Sequence, residues 1–159
     1  MNKAKILLLT FATALLVACG TTRTVPITGR KQNLMVSDEQ VLSLSKQEYD
    51  KYMATATKSS NAANTAMVRR VGQRLARAVE TYFSSHGLSE ELRHYSWEFN
   101  LVADKQANAF CMPGGKIVVY EGLLPYTQDE PSLAVVVGHE IAHAVARHSA
   151  EQMSKQIRD

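Results

Sequence analysis

Apolar side chains recur along this chain at two spacings, and the change from one to the other marks a change of backbone. Val68, Val71, Leu75, Val79 and Tyr82 follow at steps of three and four, which places them on one face of a helix predicted over 65–86. Arg69, Arg70, Arg74 and Arg77 fall mostly on the other side and read as a solvated face. Gly87 stands where the left-handed residue closing a helix belongs. Upstream, Ser37-Asp38-Glu39-Gln40 spells a capping box with acidic residues in the first turn. It predicts a helix over 38–56, with Val41, Leu44, Tyr49 and Tyr52 on or near its apolar side. The Ser- and Asn-rich stretch 59–64 separates the two helices.

The period then drops to two. Tyr95, Trp97, Phe99 and Leu101 alternate with Ser96, Glu98 and Asn100, a half-buried strand with Trp97 in the core. A turn at Asp104-Lys105 leads to the segment Asn108–Met112, a tight turn at Pro113-Gly114-Gly115 and a returning strand at Lys116–Tyr120. Gly122-Leu123-Leu124 opens a short helical turn. Asp129 caps a last helix over 130–155, with Glu130 and Pro131 in its first turn. The order predicts an α+β fold with few strands: two N-terminal helices, a small β-meander, then a long helix.

The chain's start has another pattern. Lys3 and Lys5 precede an apolar run from Ile6 to Val17 that is too short to span a bilayer comfortably. Leu16-Val17-Ala18-Cys19 is similar to a bacterial lipobox. Residues 1–18 therefore read as a lipoprotein signal peptide, with Cys19 acylated and membrane-bound through its lipid. Gly20 follows, and by likeness to the sorting rule of enteric bacteria the destination is the outer membrane, facing the periplasm. Residues 19–36, broken by Pro26 and Gly29, read as a tether.

Of the two cysteines, Cys19 is spent on lipid, so Cys111 has no partner for a disulfide and reads as a small buried hydrophobe. Removing Lys3 and Lys5 takes the net charge from +3 to about +1, which gives no electrostatic case for nucleic acid. About 140 residues remain, enough for one modest core.

Chemistry concentrates at His139-Glu140-Ile141-Ala142-His143, an HExxH sequence inside the predicted last helix. Residues four apart lie one turn above each other. His139 and His143 can thus aim two imidazole nitrogens at one Zn²⁺, and Glu140 can reach a metal-bound water as a general base. The motif follows the apolar run Leu133–Gly138, so its polar groups are expected to be semi-buried and in need of a partner. Gly138, mid-helix, suggests close approach of another backbone. On a straight helix His148 stands about 180° from His139, and Glu151 lies too far beyond His143; neither completes the site. Ser149 stands where the long metzincin motif would carry its third histidine. Arg147 and His148 read as hydrogen-bonding within the scaffold.

Three segments together resemble a family. Asn108-Ala109-Phe110 with Pro113-Gly114-Gly115, then Gly122-Leu123-Leu124, then the HExxH helix with Arg147-His148, are similar in order and spacing to the HtpX/CAAX-prenyl-endopeptidase-like zinc metallopeptidases. These are gluzincins, and the match is to their bacterial lipoprotein branch. The resemblance implies a zincin-like fold, zinc on His139 and His143, Glu140 as catalytic base, and peptide substrate along Asn108, Ala109 and Phe110 by strand addition. It also implies a third zinc ligand, a glutamate on a helix beyond Asp159. Residues 37–159 then form the N-terminal part of the peptidase domain, and the chain alone is expected to be inactive. Two functions follow as expectations: a lipid-anchored zinc endopeptidase acting on misfolded envelope proteins, or a lipid-anchored binding or assembly factor, chaperone-like and without turnover.

Overall fold

The structure, a computed structural model, describes residues 20–158; the expected signal peptide and Cys19 lie outside them. It is an α+β arrangement of helices and two small sheets. A hairpin comes first, β1 (Thr21–Thr24) and β2 (Lys31–Leu34). Helices α1 (Asp38–Thr55) and α2 (Ala62–Ser85) follow, then a 3₁₀ turn at Ser89–His94. The second sheet holds β3 (Glu98–Val102), β4 (Ala109–Met112) and β5 (Lys116–Tyr120). A 3₁₀ turn at Glu121–Leu123 and the short α3 (Leu124–Thr127) lead to α4 (Glu130–Val145) and α5 (His148–Arg158).

The helix ends are chemical as the sequence expects. Ser37 accepts a hydrogen bond from the Gln40 backbone N–H at 3.2 Å, and the Gln40 side chain accepts from the Ser37 N–H at 2.9 Å. Asp129 accepts from the Ser132 N–H at 2.8 Å, which occupies one of the free donors at the start of α4. Gly87 closes α2 at φ +70°, with the Leu88 N–H donating to the Phe83 carbonyl.

Three expectations change. The tether is a docked hairpin. Its strands pair Thr21 with Leu34 through Thr24 with Lys31, and Val25, Gln32 and Leu34 are buried. The β-branched threonines suit a strand, and Pro26 and Gly29 fall in its turn rather than disordering it. The meander is not a meander. Its order is β3-β5-β4, with β3 parallel to β5 and β4 antiparallel to it. Alternation shows which face is buried but not which strand is the neighbour. Finally, the single helix over 130–155 is two, broken at Ala146-Arg147.

Both faces of the second sheet are covered. Leu101, Ile117, Val119, Ala109 and Cys111 face α2 and α4 in the main core. Val102, Val118, Phe110 and Met112 face Tyr49, Tyr52 and Met53 of α1. The outer edge of β3 is occupied by residues 57–59, through Ser59 N–H to Leu101 O and Ala103 N–H to Thr57 O. That leaves β4 as the edge strand, packed beside α4.

Candidate metal centre

Helix α4 buries Leu133, Val137, Ile141 and Val145 in one stripe. His139 lies two residues from both Val137 and Ile141, about 200° round the helix. It is exposed, as is His143, while Glu140 on the flank is half-buried. The expected semi-burial therefore holds for the glutamate and not for the histidines, because the apolar run faces inward and they do not. Gly138 does not admit another backbone either: a Cβ there would meet only the Leu75 side chain, at 3.7 Å.

The two imidazoles converge. Nε2 of His139 lies 2.9 Å from Nε2 of His143, with the rings near perpendicular. Two nitrogens on one tetrahedral zinc stand about 3.4 Å apart, so a small opening of the pair would admit the ion. In this respect the residues fit a zinc ion, as two of its ligands. Among the described residues no group of three or more His, Cys, Asp or Glu is placed to hold a metal.

His148 does not point away as a straight helix would have it. Arg147 adopts a left-handed conformation, φ 56°, and the chain turns back after α4. His148 Nδ1 comes to 2.6 Å from His143 Nδ1. Three imidazoles thus stand in a row: His139, His143, His148. The corner is held from behind. The Arg147 guanidinium pairs with Glu91 and lies 3.6 Å from Asp38, which also takes Arg23 at 2.6 Å. No residue type at the break announces it; a left-handed arginine is uncommon.

The hairpin turn roofs this row. Val25, Ile27, Thr28 and Arg30 line a cleft with His139, His143 and His148. Arg30 makes a two-pronged ion pair with Glu151, at 2.8 and 2.6 Å. The Gln32 amide donates to the Ala146 carbonyl at 2.8 Å and to Glu151 at 3.0 Å. The Arg30 bond, ahead of the Gln32 bond, brings the Glu151 carboxyl down to about 2.

Beside the cleft runs β4. The Tyr120 N–H donates to the Asn108 carbonyl at 3.0 Å, so Asn108, Phe110 and Met112 turn their backbone groups to β5. By alternation, Ala109 and Cys111 turn theirs to the open edge. The Phe110 ring packs against Tyr52 at 5.4 Å, on the face away from α4. Of Asn108, Ala109 and Phe110, only Ala109 offers edge groups. Cys111 is a free thiol pushed up to about 12, chiefly by burial and then by the charge of Glu140.

Comparison with known proteins follows the same ground. The model of peptidase family M48 matches residues 61–158, from the start of α2 through the histidine row. The mitochondrial metalloendopeptidase OMA1 of Arabidopsis thaliana is 45% identical over 73 residues, 46% of this chain and 15% of that protein. Human OMA1 is 33% identical over 127 residues, 80% of this chain and 24% of its own length. The beta-barrel assembly-enhancing protease of Yersinia pestis is 44% identical over 62 residues, 39% of this chain and 13% of that protein. The chain thus spans at most about a quarter of these relatives.

Proposed function

This chain belongs to peptidase family M48, and from that premise we propose that it carries the catalytic helix of a zinc-dependent endopeptidase anchored by lipid in a bacterial envelope. The observation that carries the reading is the convergence of the His139 and His143 Nε2 atoms, 2.9 Å apart, on a helix beside an open strand edge. The metallopeptidase relatives support the same chemistry.

His139 and His143 would hold the metal, and a third protein ligand would come from outside residues 20–158. When bound, zinc polarises a carbonyl and makes its water acidic enough to attack near neutral pH. Glu140 takes the attacking water's proton and delivers it to the departing amine. The outward N–H and C=O groups of Ala109 and Cys111 hold an extended polypeptide as one more strand. Envelope proteins as substrates are suggested by the beta-barrel assembly-enhancing relatives. A bacterial, lipid-held location rests on the lipobox at Cys19.

In the intact protein, o-phenanthroline and Glu140→Gln should each abolish casein cleavage. Cleavage indifferent to both would remove the peptidase reading in favour of a binding or assembly factor. Radiolabelled palmitate should label the wild type and not Cys19→Ser; retention of the variant in the membrane fraction would place the anchor elsewhere.

A further inference from the structure

We propose that His148 is a positioning residue for His143: its Nδ1 accepts the hydrogen bond that His143 must donate from Nδ1 while its Nε2 faces a metal. The inference rests on the metal reading above. A neutral imidazole carries one proton, on one nitrogen or the other. If Nε2 of His143 shares a divalent cation with Nε2 of His139, the His143 proton sits on Nδ1. That atom is 2.6 Å from Nδ1 of His148, too close for two lone pairs to face each other. The proton lies between them, donated by His143. His148 then keeps its own proton on Nε2.

Metal-binding histidines are commonly oriented through the nitrogen opposite the metal by a carboxylate, a carbonyl or water. Here an imidazole takes that part. On an unbroken helix His148 would stand about 140° round from His143, out of reach. The corner at Arg147, φ 56°, brings it back. Glu91 and Asp38 hold the corner through the guanidinium. The ion cluster behind the helix and the imidazole row in front are therefore one device, which fixes the tautomer and ring plane of a ligand.

The test is a Zn²⁺ titration of the intact protein in detergent, by competition with a chromophoric chelator, for wild type, His148→Ala and His148→Asn. The Asn amide oxygen can stand near the position of Nδ1. His148→Ala should lower affinity by 10–100-fold, the range expected when such an orienting partner is removed, and His148→Asn should recover most of it. Nitrogen-15 NMR of the zinc-loaded wild type should show His143 protonated on Nδ1 and His148 on Nε2. This second measurement decides the matter if His148→Ala fails to fold. Wild type that takes no zinc would overturn the metal reading itself. Zinc binding unchanged by His148→Ala, or a His148 proton on Nδ1, would overturn this inference and leave the metal reading standing.

Discussion

A Cβ on Gly122 would collide with the carbonyl of Lys105, so Gly122→Ala should cost about 1–3 kcal/mol, as overpacking against backbone does. Gly138 is the reverse case. Its nearest neighbour is the tip of Leu75, at ordinary contact distance, and Gly138→Ala should stabilise by about 0.5–1 kcal/mol through helix propensity. Urea denaturation of the two variants gives both signs. The sequence placed the close backbone approach at Gly138, whereas the fold places it at Gly122, because a glycine in a string does not say which neighbour needs the room. Cys111 is a third single-residue case. Burial, reinforced by Glu140, pushes its thiol to about 12, so the native thiolate population near pH 8 is very small. Iodoacetamide should label it far more slowly in the folded chain than in urea. His139, Glu140 and His143 were legible because their spacing needs only a helix to become geometry. His148 was not, since its place depends on one backbone angle two residues beyond the helix end.

The hairpin and the α4–α5 corner are the elements that the sequence misread. Pro26 and Gly29 look like breaks along a string, yet a two-stranded ribbon needs such residues at its turn. What makes it a ribbon is its docking on α5, through Arg30 and Gln32 to Glu151, Met35 N–H to Ser154 at 2.8 Å and buried Leu34. These partners lie more than a hundred residues away in sequence. Glu151 makes the docking sensitive to acid. Its pKa, about 2, lies below the ordinary carboxylate value, so this contribution is complete above roughly pH 4.5 and is lost as pH falls towards 2. Hydrogen exchange in β2, referenced to α2, should therefore quicken across that range. Glu151→Gln should quicken it already at pH 7 and flatten the acid dependence. At the corner, a left-handed arginine costs about 1–2 kcal/mol, and its pairing with Glu91 and Asp38, all three side chains largely out of solvent, offsets the strain. Arg147→Ala keeps the strain and leaves Glu91 without its cation, while Asp38 keeps Arg23, so thermal unfolding should show a loss of about 2–4 kcal/mol. Arg147→Gly should lose about 1 kcal/mol less, because glycine adopts the turn freely.

Across the whole molecule, α1 covers one face of the three-stranded sheet, while α2 and α4 cover the other. The α+β class was legible from the order of periods. The parallel β3–β5 pairing was not, since it needs β4 to be passed to the outside. That arrangement puts an open strand edge beside α4, the helix that carries Glu140. It also leaves apolar surface bare near the start of α4, where Tyr126 is 76% and Val135 74% exposed; such surface favours association. The donor set of the described residues is two converging imidazoles, whereas catalytic zinc sites ordinarily hold three protein ligands and keep one position for water. With two, solvent fills an extra position, and no ligating carboxylate among the described residues offsets the charge of the ion. A polypeptide of these 159 residues alone should therefore bind Zn²⁺ more weakly than a three-ligand site does, and should cleave no fluorogenic peptide. Calorimetric zinc titration and the peptide assay, run on the same preparation, check both. Tight one-to-one zinc with cleavage that disappears in Glu140→Gln would mean that a third ligand is reached within residues 20–158, with His148 or Glu151 of α5 the donors at hand.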